Sequence, residues 1–545
     1  MLRKLALLAC MVTAVSARAD DTSASDKLRI LYSTRFTFTD SGLPLVTVEI
    51  MGHRKQVELH AKGGVAVRPD GNGGSTIDSD AGDAWTVTVE HARPALIQDW
   101  TVVETFGPDD ATGIAASLAR WKARGFDPRS FEIGTLFGTG GEVIDTREVR
   151  IAIDPVAEGK GGARAAELAT KFGIKTQVHQ ELVRRPAGTI VARNGATTIR
   201  NPSVLWFQPE RASETLTVAD VPTGTGGSQL QTGSEDRRYW GSVYVTLDHD
   251  GSLVVANAVA EDKLLAGIVP AEMYPDAPAA ALEAQAIAAR TELLQKIGHR
   301  SLTDPFLLCS TQQCQVYAGA GKEDPRTTRA IENTHGIVLL RDGGGLVDIR
   351  YSASCGGHTE DNDAIWGGEP DPSLRGQRDD PKAQMTRITD ANLDDFLEQR
   401  GAWHDADAWC ARAKGAKAKF RWTETIDAAE LTARVSVEYP EVGHIKTLAP
   451  RLRGSSGRIR TLAIIGDKAT VEVTGDLHIR RLLGGLKSTL FEVKREGAMF
   501  VFRGAGFGHG VGMCQLGAIG MAEAGKAREQ ILGHYYRGTH LHKLY

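Results

Sequence analysis

The sequence predicts a multidomain protein of the α+β class. With 545 residues, the chain is too long for a single hydrophobic core, and two to four domains are expected. Residues 27–100 show mostly strand and turn patterns, with glycine-rich segments between the apolar runs. Helix patterns follow at 111–124 and, in the second half of the chain, along an apolar line from Leu282 to Ile297. Separate strand-rich and helix-containing regions favour the α+β class.

The predicted N-terminal region, residues 20–100, is rich in strands. In the run from Leu45 to Ile50, the even-numbered positions are Val, Val and Ile, whereas the odd-numbered positions include Thr47 and Glu49. This alternation predicts a strand with one buried face and one face towards solvent.

Two units of similar build predict an α/β accessory module at residues 101–222. Each unit has a short apolar strand and an amphipathic helix, and a glycine, Gly125 or Gly173, follows each helix. Glycine in this position is typical of a left-handed C-cap. The module is built from a repeated βαβ element, which either binds glycan or only positions the rest of the chain. Its predicted elements are strands at 101–103, 149–153 and 174–178 and helices at 111–124 and 163–172.

A polar segment rich in glycine, serine and threonine predicts a linker at residues 223–236. After it, apolar runs at 244–247 and 253–255 flank the turn Asp248–Gly251, which predicts a hairpin. We assign residues 237–545 to a final domain with an inserted subdomain near 388–499.

The N-terminus, residues 1–19, has the pattern of a signal peptide for export. Arg3 and Lys4 precede an apolar stretch, and Ala17–Ala19 matches the small-residue cleavage pattern. The protein is therefore expected outside the cytoplasm, in the periplasm, the cell wall or the medium. No later apolar run is long enough for a membrane span. After cleavage the net charge would be about −7, which argues against a general nucleic-acid binder.

Five cysteines follow the predicted signal, at positions 309, 314, 355, 410 and 514. Export permits disulfides, and Cys309 and Cys314 are close enough in sequence to pair. The alternative is a zinc site of His299, Cys309 and Cys314, which His358 or Cys355 could join. Zinc sites usually have two tightly spaced ligand pairs, and this spacing is loose. We therefore favour the disulfide and expect no other cofactor.

Glu272 lies in an apolar corner between Pro270, where a short helix is expected to stop, and Pro275. A carboxyl in such a corner has a raised pKa and can donate a proton near neutral pH. The next helix is expected to be capped by Asp276, with Pro278 in its first turn. A helix start stabilises a nearby carboxylate, which opposes the effect of the corner. Spacing alone favours a surface Glu in a turn between two helices.

Two later segments combine glycines with polar residues. In Tyr351–Glu360 (YSASCGGHTE), two glycines let the backbone approach a ligand closely, although a turn with a disulfide at Cys355 explains the pattern equally well. In Gly504–Ala518, glycines alternate around His509 without the GxGxxG spacing of a dinucleotide site. This segment suits a sugar chain lying on bare backbone, with His509 and Gln515 as polar contacts. A lone His is also a common structural hydrogen-bonding group.

Five stretches in one order resemble the SpoIID/LytB family of exported cell-wall proteins, over roughly residues 237–541. Several short motifs in a fixed order are much more specific than any one of them. Residues 101–178 are also similar to a sporulation-related glycan-binding repeat. The five stretches are LLAGIVPAEMYPDAPAAALEAQAIAARTEL, CSTQQCQVY, AIENTHGIVLL, YSASCGGHTE and GFGHGVGMCQLGAIGMAEAGKAREQILGHYYRGT.

The resemblance implies a protein that acts on peptidoglycan during sporulation or wall remodelling. Some members are lytic transglycosylases that cleave glycan strands stripped of stem peptides, and others enhance cell-wall amidases. The family's catalytic acid corresponds to Glu272. The residues expected to hold the glycan strand are Arg290, Tyr351, Ser354, His509 and Gln515.

Two departures from the family pattern affect these expectations. Gln313 stands where members with a zinc site often have His, and Glu292 stands where an aromatic residue is common. No carboxylate is spaced next to Glu272 in the way that two-carboxylate hydrolases require.

Three hypotheses follow: a transglycosylase with Glu272 as acid and base, a non-catalytic glycan-binding protein that stimulates an amidase, and a zinc hydrolase using His299 and the cysteines.

Overall fold

The computed structural model describes residues 30–545 apart from 36, 40, 70–75, 140, 224–232, 312–313, 383–384 and 404–407. The predicted signal peptide, most of the predicted linker and Gln313 lie outside the described residues. Helices and several sheets occur together, which confirms the α+β class. Among the helices of the described part, none combines the length and the apolar character that a membrane span requires.

The strands and helices of the described residues are numbered in chain order. The strands of the first half are β1 (Thr37–Phe38), β2 (Pro44–Arg54), β3 (Gln56–His60), β4 (Val65–Pro69), β5 (Ile77–Asp78), β6 (Ala84–Arg93), β7 (Leu96–Phe106), β8 (Arg129–Ile133), β9 (Leu136–Thr139), β10 (Glu142–Asp145), β11 (Glu148–Ala157), β12 (Gln177–Arg184), β13 (Ala187–Asn194), β14 (Thr197–Asn201), β15 (Val204–Pro209), β16 (Leu216–Thr223), β17 (Gly233–Tyr239), β18 (Ser242–Leu247) and β19 (Leu253–Ala260). The later strands are β20 (Ile337–Arg341), β21 (Tyr351–Ser352), β22 (Arg421–Asp427), β23 (Ile445–Arg453), β24 (Ile459–Gly466), β25 (Thr470–Thr474), β26 (Phe491–Glu496), β27 (Met499–Ala505), β28 (Met513–Cys514) and β29 (Thr539–Lys543). The helices are α1 (Ala111–Ala123), α2 (Gly161–Phe172), α3 (Glu261–Glu272), α4 (Ala279–Lys296), α5 (Pro325–Asn333), α6 (Asn362–Trp366), α7 (Leu393–Leu397), α8 (Trp409–Arg412), α9 (Lys417–Phe420), α10 (Ala428–Ser436), α11 (Asp476–Leu482), α12 (Gln515–Glu523) and α13 (Arg528–Tyr535).

Two sheets share one core with the helices α3 and α4. One sheet has seven strands in the order β1-β2-β19-β18-β15-β4-β5, and the other has six in the order β14-β13-β6-β3-β16-β17. Apolar side chains from both sheets, such as Val48, Trp85 and Val245, join side chains of α3 and α4 in one buried cluster. Burial of apolar surface between layers is what stabilises such an arrangement. The sheets therefore form the platform on which the two helices are held.

Strand pairing joins regions that the sequence analysis placed in different domains. β2 pairs with β19, with Thr47 opposite Ala258, and β15 pairs with β18, with Trp206 opposite Tyr244. The boundaries expected at residues 100 and 222 therefore do not separate folded units. Residues 233–236 of the expected linker belong to β17, which pairs with β16. Alternation identifies a strand but does not identify its partner, which lies far away in the chain.

β2 is buried on both faces, so the prediction that one face points towards solvent is wrong. Thr47 is 1% exposed, and Leu45 lies in a second apolar cluster with Leu31 and Phe306. These distant residues cover the face that alternation alone assigned to solvent. The hairpin predicted at Asp248–Gly251 is confirmed, since Leu247 of β18 pairs with Leu253 of β19 across the turn.

The accessory module runs from β7 to β12, so it is shorter than expected. Its sheet has the order β12-β7-β11-β8 with antiparallel neighbours, which is a split βαβ arrangement. The two predicted helices are confirmed as α1 and α2, and they pack on one face of the sheet through Trp121 and Leu168. Gly173 follows α2 with φ +65°, as expected for a left-handed cap. Residues 187–223 belong to the larger sheets instead.

α3 and α4 differ from their predicted boundaries. α3 continues through Pro270 to Glu272, because the N–H of Met273 still donates to the carbonyl of Val269 at 2.9 Å and closes the last turn. Pro278, rather than Asp276, is the N-cap residue of α4, and no side chain caps that end. Glu272 therefore lies at the C-terminal end of a helix and not just before a helix start.

α4 is buried over most of its surface, although an amphipathic helix was predicted. The predicted apolar line is buried, but Gln285 and Arg290, which lie off that line, are also fully buried. The reason is that α4 lies between two apolar clusters, with Ala289 in the first and Ile287 in the second. A helix between two cores has little surface left for solvent, so its buried polar side chains must find partners inside the protein.

Residues 421–505 form a compact unit within the last third of the chain. Two three-stranded sheets, β22-β27-β26 and β23-β24-β25, enclose an apolar cluster together with α10 and α11. The unit falls where an inserted subdomain was expected. The buried carboxylate of Glu360 connects this unit to the rest of the final domain. It accepts hydrogen bonds from the N–H groups and hydroxyls of Ser455 and Ser456. The final residue of the YSASCGGHTE segment therefore has a structural role.

Candidate active site around Glu272

Glu272 is half-buried at the C-terminal end of α3, where the N–H of Val316 lies 3.4 Å from its Oε1 atom. Burial raises the pKa of Glu272 to about 7, and the nearby carboxylate of Glu292 contributes in the same direction. The Val316 hydrogen bond and the Lys296 ammonium oppose this shift. The C-terminal end of a helix also disfavours an anion. A large fraction of Glu272 therefore carries a proton at neutral pH.

Close packing of α3 against residues 315–317 determines the position of this carboxyl. A Cβ atom at Gly267 would lie 2.6 Å from the ring of Tyr317, so a larger residue does not fit there. Tyr317 is buried, and its hydroxyl donates to Asn257 Oδ1 at 2.9 Å. These contacts bring Val316 within reach of Glu272.

A buried ion pair next to Glu272 was missed by sequence reasoning. Glu292 and Lys296 lie one turn apart on α4, are 7% and 6% exposed, and bond to each other. Lys296 also donates to the carbonyl of Cys314, and Gln315 donates to Glu292 Oε2 at 2.8 Å. The sequence analysis noted Glu292 only as a departure from the family pattern. Opposite charges four residues apart in an otherwise apolar helix are a signal that could have identified the pair.

Replacing Glu292 by Gln is expected to lower the pKa of Glu272 by about one unit. The change removes a negative charge and leaves the Lys296 ammonium unpaired, and both effects favour the ionised form of Glu272. NMR titration of isotope-labelled glutamate carboxyls measures the shift. Glu283→Gln, on the same helix but paired with Arg528, is the control and should leave the titration unchanged. An unchanged or higher pKa in the Glu292→Gln variant would contradict the assignment.

Cys309 and Cys314 form a disulfide, the interpretation favoured from the sequence. They are therefore not free thiolates for zinc. His299 is engaged elsewhere, with its Nε2 atom 2.8 Å from the carbonyl of Thr146 in the accessory module. His358 is fully buried between two backbone carbonyls. The structure thus does not assemble the alternative zinc site expected from these residues.

Replacing both Cys309 and Cys314 by Ser is expected to lower the free energy of unfolding by about 2 kcal/mol, because the closed loop between them is short. The loop leads directly into Gln315 and Val316, so the environment of Glu272 should also loosen. Urea denaturation of the oxidised wild type and the double variant measures the first effect. Equal unfolding midpoints would show that the disulfide does not constrain this segment.

Parallel pairing of β21 with β28 brings Tyr351 and Gln515 to Glu272. The side-chain amide of Gln515 donates to the backbone carbonyl of Glu272 at 2.8 Å and lies 3.3 Å from Gln285 Oε1. Burial, followed by the carboxylates of Glu272 and Glu292, raises the pKa of the Tyr351 hydroxyl well above its usual range. These two predicted residues therefore form the wall opposite α4, and they are separated in sequence by more than half of the final domain.

Arg290 and Ser354 lie where no glycan strand can reach them. The Arg290 side chain is fully buried, with its Nε atom 2.7 Å from Glu261 Oε1 and its Nη1 atom donating to the carbonyl of Thr334. Ser354 is also fully buried, and its backbone exchanges hydrogen bonds with that of Phe507. Both residues are corrected to structural roles: Arg290 links two helices and a strand, and Ser354 holds the glycine-rich segment in place.

Three aromatic rings on segments near the predicted site residues are exposed. Tyr274 is 50%, Phe507 36% and Trp366 53% exposed. Lys419 joins the first two, since its Nζ donates to the Tyr274 hydroxyl at 2.6 Å and lies 5.8 Å from the Phe507 ring centre. His509 packs against Trp366 with ring centres 4.9 Å apart. Exposed apolar rings of this size are typical of a binding surface. No local pattern in the sequence indicated Lys419.

His509 serves this surface as an uncharged group. Burial lowers its pKa to about 3. Its Nδ1 atom accepts the N–H of Val511 at 3.0 Å, so the neutral ring carries its proton on Nε2. The expected role of His509 as a polar contact is therefore that of a hydrogen-bond donor and not of a cation.

A separate cavity of about 540 Å³ lies at the accessory module, lined by Tyr32, Thr34, residues 130–133, residues 179–183, Arg185 and Leu302. The rings of Phe131 and His179 stack there with centres 4.2 Å apart. These residues belong to segments other than those around Glu272. Glycan binding by the module remains a prediction.

Residues 249–340 match a protein family described as stage II sporulation protein, SpoIID. This part of the chain is similar to SpoIID. The match includes α3, Glu272, α4 and the disulfide, which is the acid-bearing wall of the site. Residues 360–512 match a second family, described as a domain of unknown function, DUF8618. That match includes the compact unit of residues 421–505 and the glycine-rich segment up to Gly512.

Three relatives resemble part of the chain. An amidase enhancer of Bacillus subtilis (strain 168) is 31% identical over 297 residues, which cover 51% of this chain and 40% of the relative. Stage II sporulation protein D of Bacillus amyloliquefaciens is 27% identical over 311 residues, covering 54% and 77%. Stage II sporulation protein D of Bacillus subtilis (strain 168) is 26% identical over 349 residues, covering 60% and 85%. The chain thus spans less than half the length of the amidase enhancer.

Proposed function

We propose that this SpoIID-like protein is exported and cleaves the glycan strands of peptidoglycan as a lytic transglycosylase. The observation that carries the proposal is a half-buried carboxyl, Glu272, whose pKa of about 7 leaves it partly protonated at neutral pH. The exposed aromatic rings of this site support the same function, because sugar rings stack on such surfaces.

The reaction would use Glu272 twice. In its protonated form, Glu272 donates a proton to the oxygen that bridges N-acetylmuramic acid and N-acetylglucosamine, and the bond from the muramyl C1 to this oxygen breaks. The C6 hydroxyl of the same muramyl residue then attacks C1, and its proton passes to the Glu272 carboxylate. A 1,6-anhydro ring forms, no water is consumed, and Glu272 returns to its starting state.

A second carboxylate, Glu292, lies near Glu272, but it does not make the site a two-carboxylate hydrolase. Glu292 is buried and held by Lys296 and Gln315, so it is not free to activate water or attack carbon. Its effect on Glu272 is electrostatic. Tyr351, Gln515 and His509 supply neutral polar groups, which suit the hydroxyl and acetamido groups of the sugar rings.

Product analysis tests the proposal. The purified protein is incubated with denuded glycan strands and with intact peptidoglycan, and the products are identified by mass spectrometry. New 1,6-anhydromuramyl ends from denuded strands are expected. New reducing ends would instead indicate a hydrolase, and the absence of new ends from either substrate would exclude catalysis on these substrates.

The second candidate function is stimulation of a cell-wall amidase without catalysis, and the similarity to an amidase enhancer favours it. In that case the protein would bind glycan and accelerate a purified amidase, and Glu272→Gln would retain both properties. Loss of amidase stimulation only when glycan cleavage is lost would favour the transglycosylase.

A further inference from the structure

Three cysteines and an aspartate meet in the buried core next to the candidate active site. The Sγ atoms of Cys355, Cys410 and Cys514 and a carboxylate oxygen of Asp379 all lie within 4.8 Å of one another. The four side chains are at most 1% exposed, and the three cysteines are free thiols. Neither the SpoIID-type reaction nor the disulfide uses any of them.

Two of the separations among these atoms are close to those in a tetrahedral metal centre, and the others lie within 4.8 Å. Cys355 Sγ lies 3.6 Å from Cys410 Sγ and 3.3 Å from Asp379 Oδ2. Zinc with bonds of about 2.3 Å to sulfur and about 2.0 Å to oxygen places neighbouring ligand atoms about 3.5 to 3.8 Å apart. The observed separations are therefore close to the edges of such a tetrahedron.

The surrounding hydrogen bonds orient the four groups in the manner of metal ligands. Cys514 Sγ accepts the N–H groups of Cys355 at 3.1 Å and Gly517 at 3.3 Å. The Tyr535 hydroxyl donates to Asp379 Oδ1 at 2.8 Å, which leaves Oδ2 directed at the sulfur atoms. Donors of this kind fix the ligands of metal sites and stabilise thiolates.

We propose that Cys355, Asp379, Cys410 and Cys514 bind one Zn²⁺ ion in a closed structural site. Soft thiolate ligands favour zinc over magnesium or calcium, and four protein ligands leave no open position for substrate. From the zinc site considered from the sequence, this site uses Cys355, but neither of the bonded cysteines and neither His299 nor His358. It is independent of whether Glu272 is catalytic.

A disulfide between two of these cysteines would satisfy the cluster less well. Cys355 and Cys410 are the pair in hydrogen-bonding contact, and joining them would leave Cys514 in the core as a single thiol beside the Asp379 carboxylate, which Tyr535 and the His534 ring contact. A single divalent cation would bind all four groups together. The cluster is therefore better matched to a metal ion than to oxidation.

The site would also join distant segments at the wall of the active site. Cys355 follows β21, Cys410 lies in α8, and Cys514 ends β28 directly before Gln515. Gln515 is the residue whose amide bonds the backbone of Glu272. Bound zinc would hold this wall in register with α3.

Metal reconstitution tests the proposal on the full chain. The protein is reduced, incubated with Zn²⁺ or Co²⁺, desalted and assayed by elemental analysis and visible absorption. We expect about one metal ion per chain and, with cobalt, intense thiolate charge-transfer and tetrahedral bands. Cys410→Ser and Asp379→Asn should each lower retained metal at least tenfold. The double variant Cys309→Ser/Cys314→Ser, at the disulfide, is the matched control and should retain the metal.

X-ray absorption of the zinc-loaded wild type keeps the test independent of whether the variants fold. Sulfur neighbours at about 2.3 Å are expected, in a ratio of about three sulfurs to one light atom. Reduced wild type that retains no metal after desalting would overturn the proposal. So would a metal lost in the disulfide variant but kept by Cys410→Ser, or a spectrum with only nitrogen and oxygen ligands.

Discussion

Replacing Glu272 by Gln is expected to lower the rate of glycan cleavage by about 100- to 10,000-fold, because an amide neither donates nor accepts the proton that the reaction transfers. The substitution keeps the size of the side chain, and an amide oxygen can still accept the N–H of Val316. Glycan binding and thermal unfolding should therefore stay close to the wild type. Release of anhydromuramyl ends from denuded strands, followed by mass spectrometry, measures the loss.

The matched control is Glu283→Gln, which makes the same chemical change on the partly exposed side of α4, where Glu283 pairs with Arg528. It should cleave at the wild-type rate. Wild-type cleavage by Glu272→Gln would remove Glu272 from the mechanism. An equal loss in both variants would point to a general effect on α4.

The pH dependence of glycan cleavage provides a second test of Glu272. Because the pKa of Glu272 is raised to about 7, the acid form dominates below that pH and the ionised form above it. The first chemical step needs the acid form, so kcat/KM should fall as the pH rises through about 7. A profile that rises over this range would require a different proton donor.

Replacing Arg290 by Ala is expected to lower the free energy of unfolding by about 3 to 5 kcal/mol, since the Glu261 carboxylate would stay buried without its cation. Both side chains are fully buried and their charged atoms lie 2.7 Å apart. Arg290 also donates to the carbonyls of Thr334 and Ile337, so the strand after α5 loses its attachment to α4. Chemical denaturation followed by tryptophan fluorescence measures the change.

An exposed pair on another helix is the control for this prediction. Arg434 and Glu430 are bonded one turn apart on α10, with half-exposed side chains. Exposed pairs of this kind contribute little to stability, so Arg434→Ala should leave the unfolding transition in place. The double variant Glu261→Gln/Arg290→Met should recover much of the lost stability, because it removes both buried charges. No difference between Arg290→Ala and Arg434→Ala would show that the buried pair does not stabilise the fold.

The candidate site shows how far sequence reasoning extends. Glu272 was identified from its apolar corner and from the family resemblance, and the structure places it half-buried beside Tyr351 and Gln515. The effect of the helix dipole on the Glu272 carboxylate was predicted with the wrong sign. Pro270 was expected to end α3, but α3 continues to Glu272, so Glu272 lies at the end of a helix and not before the start of one. Arg290 was misassigned: it was expected to hold the glycan strand, although its side chain is fully buried between α4 and its neighbours.

The sequence by itself determined what depends on neighbouring residues: the α1 and α2 helices with the glycine after each, the hairpin at Asp248–Gly251, the local disulfide and the acidic corner. Only the tertiary structure decided what depends on residues far apart. It joined the N-terminal strands to β19, buried both faces of α4, set the Glu292–Lys296 pair beside Glu272 and gathered three cysteines with Asp379. The physical reason is that side-chain periodicity reports the local backbone, whereas burial and pKa depend on which distant surfaces come together.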